Sequence, residues 1–385
     1  MNIEQVFLRT MRGLHSTKRL LDAPNRKINA FITFFPSVKP NYPPFISFLC
    51  WCNSVKLYNK LKCNSFLMAS SSLSNIVVDH PFERYNDNLE LRLNQIGKIF
   101  DVPRIISEPR GEQQIINYYA NGKFFDRFGQ PAGKYFFHHG ISYDGKHKKE
   151  DFEEQARIVE RYIHDSDAKK ALELGCGLGA NISFLARRNP CVLFDGVDLS
   201  LKPLKRFAKI PNAHFQLGDY HDLSTLEDDA YDIIFIIEAL CYSINKLQVL
   251  REVKKKLKRN GLFIIIDVYQ RDRGAPLSPS EETMLKLIEM SWSLDKFECI
   301  KDVESYMRED YSIALAKDLT RYILPSATRV ARYNRYYFSH PVYARAINKL
   351  LSLDVAKSFI ESYLVPISLR RQIACYYIHV LKNDR

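Results

Sequence analysis

Glu173-Leu174-Gly175-Cys176-Gly177-Leu178-Gly179-Ala180 sets glycine at three alternate positions between an apolar run, Ala171 to Leu174, and a segment able to form a helix from Ala180. Without side chains in the way, such a loop brings backbone N–H groups close to a ligand, and the helix behind it presents its positive end. The chemistry implied is the binding of a nucleotide-like cofactor. The same letters satisfy the dinucleotide pattern G-x-G-x-x-G/A, and Asp198 lies about where that pattern places a ribose-binding acid, so NAD is one candidate.

Two acids point to a different ligand. Glu173, two residues before the first glycine, would repel a pyrophosphate, whereas it can reach the cationic amino-acid portion of S-adenosylmethionine. Gly218-Asp219-Tyr220 then ends the next apolar run after Asp198. A carboxylate there can accept the adenine amino group while the neighbouring side chain covers the ring.

These residues need a scaffold that delivers them to one edge. Phe152, Ala156, Val159 and Ile163 recur at helical spacing, opposite Glu153, Glu154, Arg157 and Arg161, and predict an amphipathic helix leading into the loop. Strands are expected at Ala171 to Leu174, Val192 to Val197, His214 to Leu217, Tyr231 to Ile237 and Leu262 to Val268. Helices are expected between them, from Ala180, from Lys202 and through Leu250, Val253 and Leu257, with Asn260-Gly261 as the turn before the last of these strands. Short continuous apolar strands alternating with helices mean a parallel α/β sheet, doubly wound and covered on both faces. Residues 271–368 break the rhythm with an aromatic, mostly helical insertion long enough to be a cap. Gln372 to Leu381 alternates as a closing strand at the sheet edge.

The organisation expected is therefore a basic extension at 1–75, an N-terminal lid and helical segment at 76–165, a cofactor-binding core at 166–270, the cap at 271–368 and the closing strand within 369–385. Of a formal charge of +12 over 385 residues, the first 75 residues carry +8, ten Lys/Arg against Glu4 and Asp22, which leaves +4 for the rest. The remainder lacks the basic footprint that nucleic acid demands, so no nucleic-acid partner is expected. The extension reads equally as a mitochondrial targeting sequence, with Arg9, Arg12, Lys18 and Arg19 among apolar residues, or as a tail, with Met68 an alternative start. The apolar runs Phe31 to Phe35 and Phe45 to Cys52 are shorter than the roughly 20 residues that span a bilayer, so no transmembrane segment is expected. Eight scattered cysteines without paired spacing suggest reduced thiols and a cytoplasmic location, or a mitochondrial one if the extension targets. Cys50-Trp51-Cys52 has no second pair at a finger-like spacing, and no metal is expected.

Taken in order, Glu173 to Gly179, Gly196-Val197-Asp198-Leu199-Ser200, Leu217-Gly218-Asp219 and Leu250-Arg251-Glu252-Val253 through Asn260-Gly261 resemble the motifs of class I S-adenosylmethionine-dependent methyltransferases. The resemblance covers about 100 residues in the family's order. It implies a Rossmann-like sheet of seven strands, mostly parallel with the last antiparallel. It also implies Glu173, Gly175, Cys176, Gly177 and Gly179 around the methionine end, Asp198 with Leu199 at the ribose, and Asp219 with Tyr220 at adenine.

Ile237-Glu238-Ala239-Leu240-Cys241-Tyr242 lacks the Asn or Asp with Pro-Pro and an aromatic found in amino-methylating nucleic-acid enzymes. Glu238, together with Tyr135-Phe136-Phe137-His138-His139-Gly140-Ile141 and Leu324-Pro325-Ser326, is similar instead to the small-molecule branch of tocopherol, sterol 24-C- and geranyl diphosphate C-methyltransferases. That branch implies a small, apolar, isoprenoid-type acceptor methylated on carbon, with N- or O-methylation of a small molecule as the alternative. An NAD-dependent oxidoreductase and a non-catalytic subunit that kept the fold are further alternatives. For an alkene acceptor, Tyr135, Phe136 or Tyr337 would face a carbocation and Glu238 or His139 would remove the last proton. The candidate catalytic residues are thus Glu238, His139 and Tyr135, although most of the cap's aromatics are expected simply to fill its core.

Overall fold

The computed structural model describes residues 88–108, 136, 138–200, 210–349, 351 and 353–384. The basic extension, Tyr135 and the helix expected from Lys202 lie outside the described residues. Leu89–Gly97 (α1) and Val102–Ile106 (α2) come first, followed by a short 3-10 turn at Lys149–Glu153 and Glu154–Asp165 (α3). Then alternate Lys170–Leu174 (β1), Ala180–Arg188 (α4), Leu193–Asp198 (β2), Ala213–Leu217 (β3), Tyr231–Ile237 (β4), Lys246–Lys256 (α5) and Leu257–Gln270 (β5). Pro279–Trp292 (α6), Ile300–Asp310 (α7), Ser312–Asp318 (β6), Thr320–Ser339 (α8), Pro341–Asn348 (α9), Leu353–Arg370 (α10) and Ala374–Lys382 (β7) complete the order.

The seven strands form one sheet in the order β3-β2-β1-β4-β5-β7-β6. β1 to β5 pair in parallel, and β7 runs antiparallel between β5 and β6. The strands' apolar continuity has its reason here: Leu172, Ile234, Ile236, Phe263 and Ile265 are wholly buried beneath α5 and α7, packed with Val249, Val253, Val303 and Met307. On the opposite face α3 packs against β4, and its predicted stripe of Ala156, Val159 and Ile163 is buried to 2% exposure or less. The chain turns one way from β1 to β2 and β3, then returns on the other side with β4. That reversal opens a crevice at the carboxyl ends of β1 and β4, the place where parallel α/β sheets take their ligands.

Three sequence expectations change. The segment expected to be a mostly helical cap also contributes β6, whose weak β-formers Ser312, Ala314, Ala316 and Lys317 are exposed while Ile313 and Leu315 are only half-buried. An edge strand of that kind leaves no apolar run to read. Asn260-Gly261 is an irregularity within β5, at which pairing with β4 jumps from Tyr231↔Leu257 to Ile233↔Leu262, rather than a turn before it. Finally, the N-terminal segment divides: α3 joins the sheet, whereas α1 and α2 pack on the cap helices α6, α8 and α10. Arg92 lies over the Tyr363 ring, 4.6 Å from its centroid, and Glu108 pairs with Lys357.

Candidate active site

Local backbone geometry assembles the loop. Gly175, Gly177 and Gly179 all adopt positive φ, at 63°, 52° and 72°, where side-chain-bearing residues are disfavoured. Gly175 is also the point of closest approach between the β1 and β4 ends, since a Cβ there would stand 2.6 Å from that of Ala239. A Cβ on Gly177 would meet nothing within 4 Å, so this residue borders open space. Cys176 points the other way. Its sulfur packs near Gly196 and burial pushes its thiol well above the ordinary value, so only its backbone can serve a ligand.

Three acids sit where the sequence placed them. Glu173 is 2% exposed, its Oε1 accepts from Asn181 Nδ2 at 2.8 Å, and its Oε2 is buried with no hydrogen-bond partner. Burial, with Asp198 adding and both Asn181 and the Ile182 backbone N–H opposing, pushes this carboxyl up to about 8. Asp198 accepts from Gly177 N at 2.8 Å and Ser200 N at 2.9 Å, which ties the end of β2 to the loop. Its neighbour Leu199 is exposed. Asp219 Oδ1 accepts from His221 N at 2.9 Å and lies 2.7 Å from the His221 ring, whose Nε2 reaches Ser243 Oγ. The Tyr220 hydroxyl donates to Ala239 O at 3.1 Å, which places this ring beside Gly175.

These groups fit S-adenosylmethionine. An orphaned buried carboxylate oxygen is costly unless a cation or donor meets it, and an ammonium group supplies both. The acid at β2 retains lone pairs for ribose hydroxyls, and the open side of Gly177 leaves room between them.

The folded protein loses stability as Glu173 is forced to ionise. Its pKa rises from 4.5 to about 8 on folding, so its contribution is full below pH 4.5 and is lost as pH climbs toward 8. Thermal melts of the ligand-free Glu173→Gln protein should therefore show a flatter pH dependence across that window, by a few kcal/mol at most. An unchanged slope would mean that Glu173 is already ionised.

On the other side of the crevice Glu238 follows β4 with φ of 46°, a left-handed backbone unusual for a non-glycine residue and worth about 1–3 kcal/mol of strain. Asp267, wholly buried on β5, holds the next turn by accepting from Leu240 N and Cys241 N at 2.7 and 3.1 Å. Glu238 Oε1 accepts from His139 N at 2.8 Å and from the Tyr376 hydroxyl at 2.9 Å, and Oε2 lies 3.4 Å from His139 Nδ1. Burial alone would raise this carboxyl, but the His139 charge and hydrogen bonds hold it below the ordinary range. For His139 burial would lower the pKa, and Glu238 raises it above the usual histidine value. The two form a hydrogen-bonded pair in which each group favours the charged form of the other.

The structure thus brings His139 and Glu238 together, and Phe136 lies 5.3 Å from the His138 ring. Tyr337 is instead a filler of the cap, packed between Phe100, Phe338 and Phe359. The segment carrying His139 is clamped on both sides, with Gly140 N donating to Ser326 Oγ and Ser142 N to Tyr322 O on α8.

Sequence reasoning passed over five residues. Gln155 donates to the Tyr376 hydroxyl at 3.2 Å and to His139 O, and Tyr376 itself was read only as part of a strand. Asn181 and Trp292 carry no motif. Glu361 on α10 faces His139 and Trp292, and burial pushes its carboxyl up to about 8. An acid set among Phe359, Ile360 and Leu364 was the one available signal.

Residues 165–325 match the family model described as a methyltransferase domain. The demethylmenaquinone methyltransferase of Thermotoga maritima is 31% identical over 113 residues, 29% of this chain and 48% of that protein. The 2-methyl-6-phytyl-1,4-hydroquinone methyltransferase of Synechocystis is 27% identical over 135 residues, 34% of this chain and 42% of that protein. The chain thus spans less than half the length of these relatives. Among solved structures, a cyclopropane synthase of Mycobacterium tuberculosis shares the fold with a TM-score of 0.55 at 16% identity, covering 72% of this chain and all of that one. With the strand order and the glycine loop, these matches identify residues 165–325 as a methyltransferase domain on a Rossmann-like sheet.

Proposed function

We propose that this protein transfers a methyl group from S-adenosylmethionine to carbon of a small apolar acceptor of the isoprenoid or quinol type. The observation that carries the reading is Glu238: a half-buried carboxylate on strained backbone, at the carboxyl end of β4 and across the crevice from Gly175, held ionised by His139 and hydrogen-bonded by Tyr376. The names of the matched relatives, a demethylmenaquinone and a phytyl-hydroquinone methyltransferase, support the acceptor class.

The cofactor supplies an activated methyl whose leaving group is already a sulfonium, so the protein has to align and desolvate rather than activate. Glu173 would hold the methionine end, Asp198 the ribose hydroxyls, and Asp219 with Tyr220 the adenine. On the acceptor side Glu238 would take the proton that carbon, or a ring hydroxyl, gives up. His139 orients that carboxylate through its backbone N–H and ring. Trp292, with its ring 6.5 Å from His139, offers an aromatic face to positive charge developing on the acceptor.

Glu361 favours a second reading. A further carboxyl beside Glu238 and His139 suits an acceptor with a polar or cationic group, hence N- or O-methylation. As to compartment, we infer the cytoplasm from the unpaired cysteines, or the mitochondrion if residues 1–75 act as a targeting sequence. Among the described residues no helix is long and apolar enough to cross a membrane.

Incubating the full chain with methyl-labelled S-adenosylmethionine and either prenylated quinols or small amines separates the two acceptor classes. Label in the quinol fraction is expected. Label in amines would move the assignment to the second reading, and label only in protein or RNA would overturn both. Micromolar binding of NAD without binding of S-adenosylmethionine would overturn the methyltransferase activity itself.

A further inference from the structure

Between Glu173 and His139 runs a continuous chain of side chains. Asn181 stands in the first turn of α4, with Nδ2 2.8 Å from Glu173 Oε1 and Oδ1 3.3 Å from His138 Nε2. The other nitrogen of His138, Nδ1, lies 3.1 Å from the carbonyl oxygen of His139. Glu173, Asn181 and His138 are all at least nine-tenths buried.

This arrangement demands a particular proton count. His138 Nδ1 faces a carbonyl oxygen that only accepts, Nε2 faces the Asn181 amide, which presents its oxygen or its nitrogen by a half-turn, and a neutral imidazole has a single N–H to offer. Two complete arrangements exist. If Glu173 is a neutral acid, its hydroxyl donates to Asn181 Oδ1, Asn181 Nδ2 donates to His138 Nε2, and the His138 Nδ1–H donates to His139 O. If Glu173 is a carboxylate, Asn181 must give it Nδ2 and therefore turns Oδ1 to His138. Both His138 nitrogens then need protons, and His138 is an imidazolium. The two forms differ by a turn of one amide and the position of one proton.

We propose that Asn181 is a positioning residue that couples the two halves of the site: when a cofactor ammonium meets the partnerless Oε2 of Glu173, the carboxyl proton is passed to His138 Nε2 as the Asn181 amide turns over. The coupling rests on the methyltransferase reading, which supplies the ammonium. Its balance is internal: Glu173 loses one proton, His138 gains it, and none is exchanged with water.

The amide as placed, Nδ2 to Glu173 and Oδ1 to His138, has the orientation of the ionised form, whereas burial favours the neutral form without ligand. Burial raises the Glu173 carboxyl and lowers the His138 imidazole. The titratable groups facing Glu173 are the Asp198 carboxylate and the neutral Cys176 thiol. Those facing His138 are Glu238, which favours its charge, and His139, which opposes it. Glu361 adds its field at His139 from the cap. A charged His138 opposes positive charge on the adjacent His139. Filling the cofactor site therefore disfavours the protonated form of His139 and, because a charged His138 also lowers the Glu238 carboxyl, holds that carboxylate ionised.

The full chain, labelled with nitrogen-15 histidine and titrated with S-adenosylhomocysteine near neutral pH, tests the coupling without turnover. The His138 ring should pass from one protonated nitrogen to two on saturation, and calorimetry in buffers of different ionisation enthalpy should show close to zero net proton exchange. In Asn181→Ala the ligand should bind more weakly, His138 should stay neutral, and about one proton should appear in the buffer. Glu173→Gln, nearly isosteric, gives an independent arm in which His138 stays neutral with or without ligand. A wild-type His138 that remains neutral beside bound S-adenosylhomocysteine, or one that charges in Glu173→Gln, would overturn the proposal. Absence of any binding to the wild-type chain would overturn the methyltransferase reading and this inference with it.

Discussion

Glu238→Gln is expected to slow methyl transfer by about 10²- to 10⁴-fold, the range a positioned acid–base group contributes, while the affinity for S-adenosylmethionine stays within a few-fold. The substitution keeps shape and the hydrogen bonds that Oε1 accepts from His139 N and the Tyr376 hydroxyl. It removes the charge, the capacity to take a proton and the acceptor that Oε2 offers His139 Nδ1. The strained backbone at this position is shared by both side chains and does not enter the difference. With its pKa held below the ordinary carboxylate range, the wild-type group is ionised across neutral pH, so the rate should fall only where acid finally protonates it. A variant retaining a third or more of the wild-type rate would show that Glu238 orders the segment at His139 and does no chemistry.

The second large effect separates two glycines that look alike in sequence. Alanine at either Gly175 or Gly177 occupies left-handed backbone, a cost of about 1–2 kcal/mol. At Gly175 the added methyl also comes within 2.6 Å of the Ala239 Cβ, and overpacking of that kind adds about 1–3 kcal/mol. At Gly177 it meets no protein atom within 4 Å. Gly175→Ala should therefore lower the melting temperature markedly. Gly177→Ala should lose only the few degrees that the left-handed backbone costs, yet bind S-adenosylmethionine at least about tenfold more weakly, about 1.4 kcal/mol. Equal losses of binding and stability in the two variants would mean that the space beside Gly177 is not where the ligand lies.

The cofactor half of the site was readable because its residues are neighbours in sequence as well as in space. Gly175 to Gly179, Asp198 and Asp219 each follow an apolar strand, and parallel pairing of those strands carries their ends to one edge without further information. The acceptor half was readable only in part. Glu238 and His139 could be named but not paired, because 98 residues of intervening chain separate groups that meet through tertiary packing alone. Tyr376 was hidden by its strand, whose alternation predicts which face a side chain takes but not what lies across it. β6 escaped because an exposed edge asks little of its side chains, and Asn181 because a helix's first turn accepts asparagine without remark. Glu361 was the missed chance, since an acid flanked by Phe359, Ile360 and Leu364 is a signal that the sequence alone can raise.

The antiparallel strand β7 has a consequence for synthesis. It pairs along nine residues with β5 and also holds β6, yet all its partners precede it in the chain. On a growing polypeptide Ile264 and Ile266 would flank an unpaired, flat, apolar edge until residues 374–382 emerge, the kind of edge on which chains associate wrongly. A nascent protein stalled near residue 370 should therefore depend on chaperones far more than the finished one, and a fusion or truncation that delays this strand should reduce soluble yield before it touches catalysis.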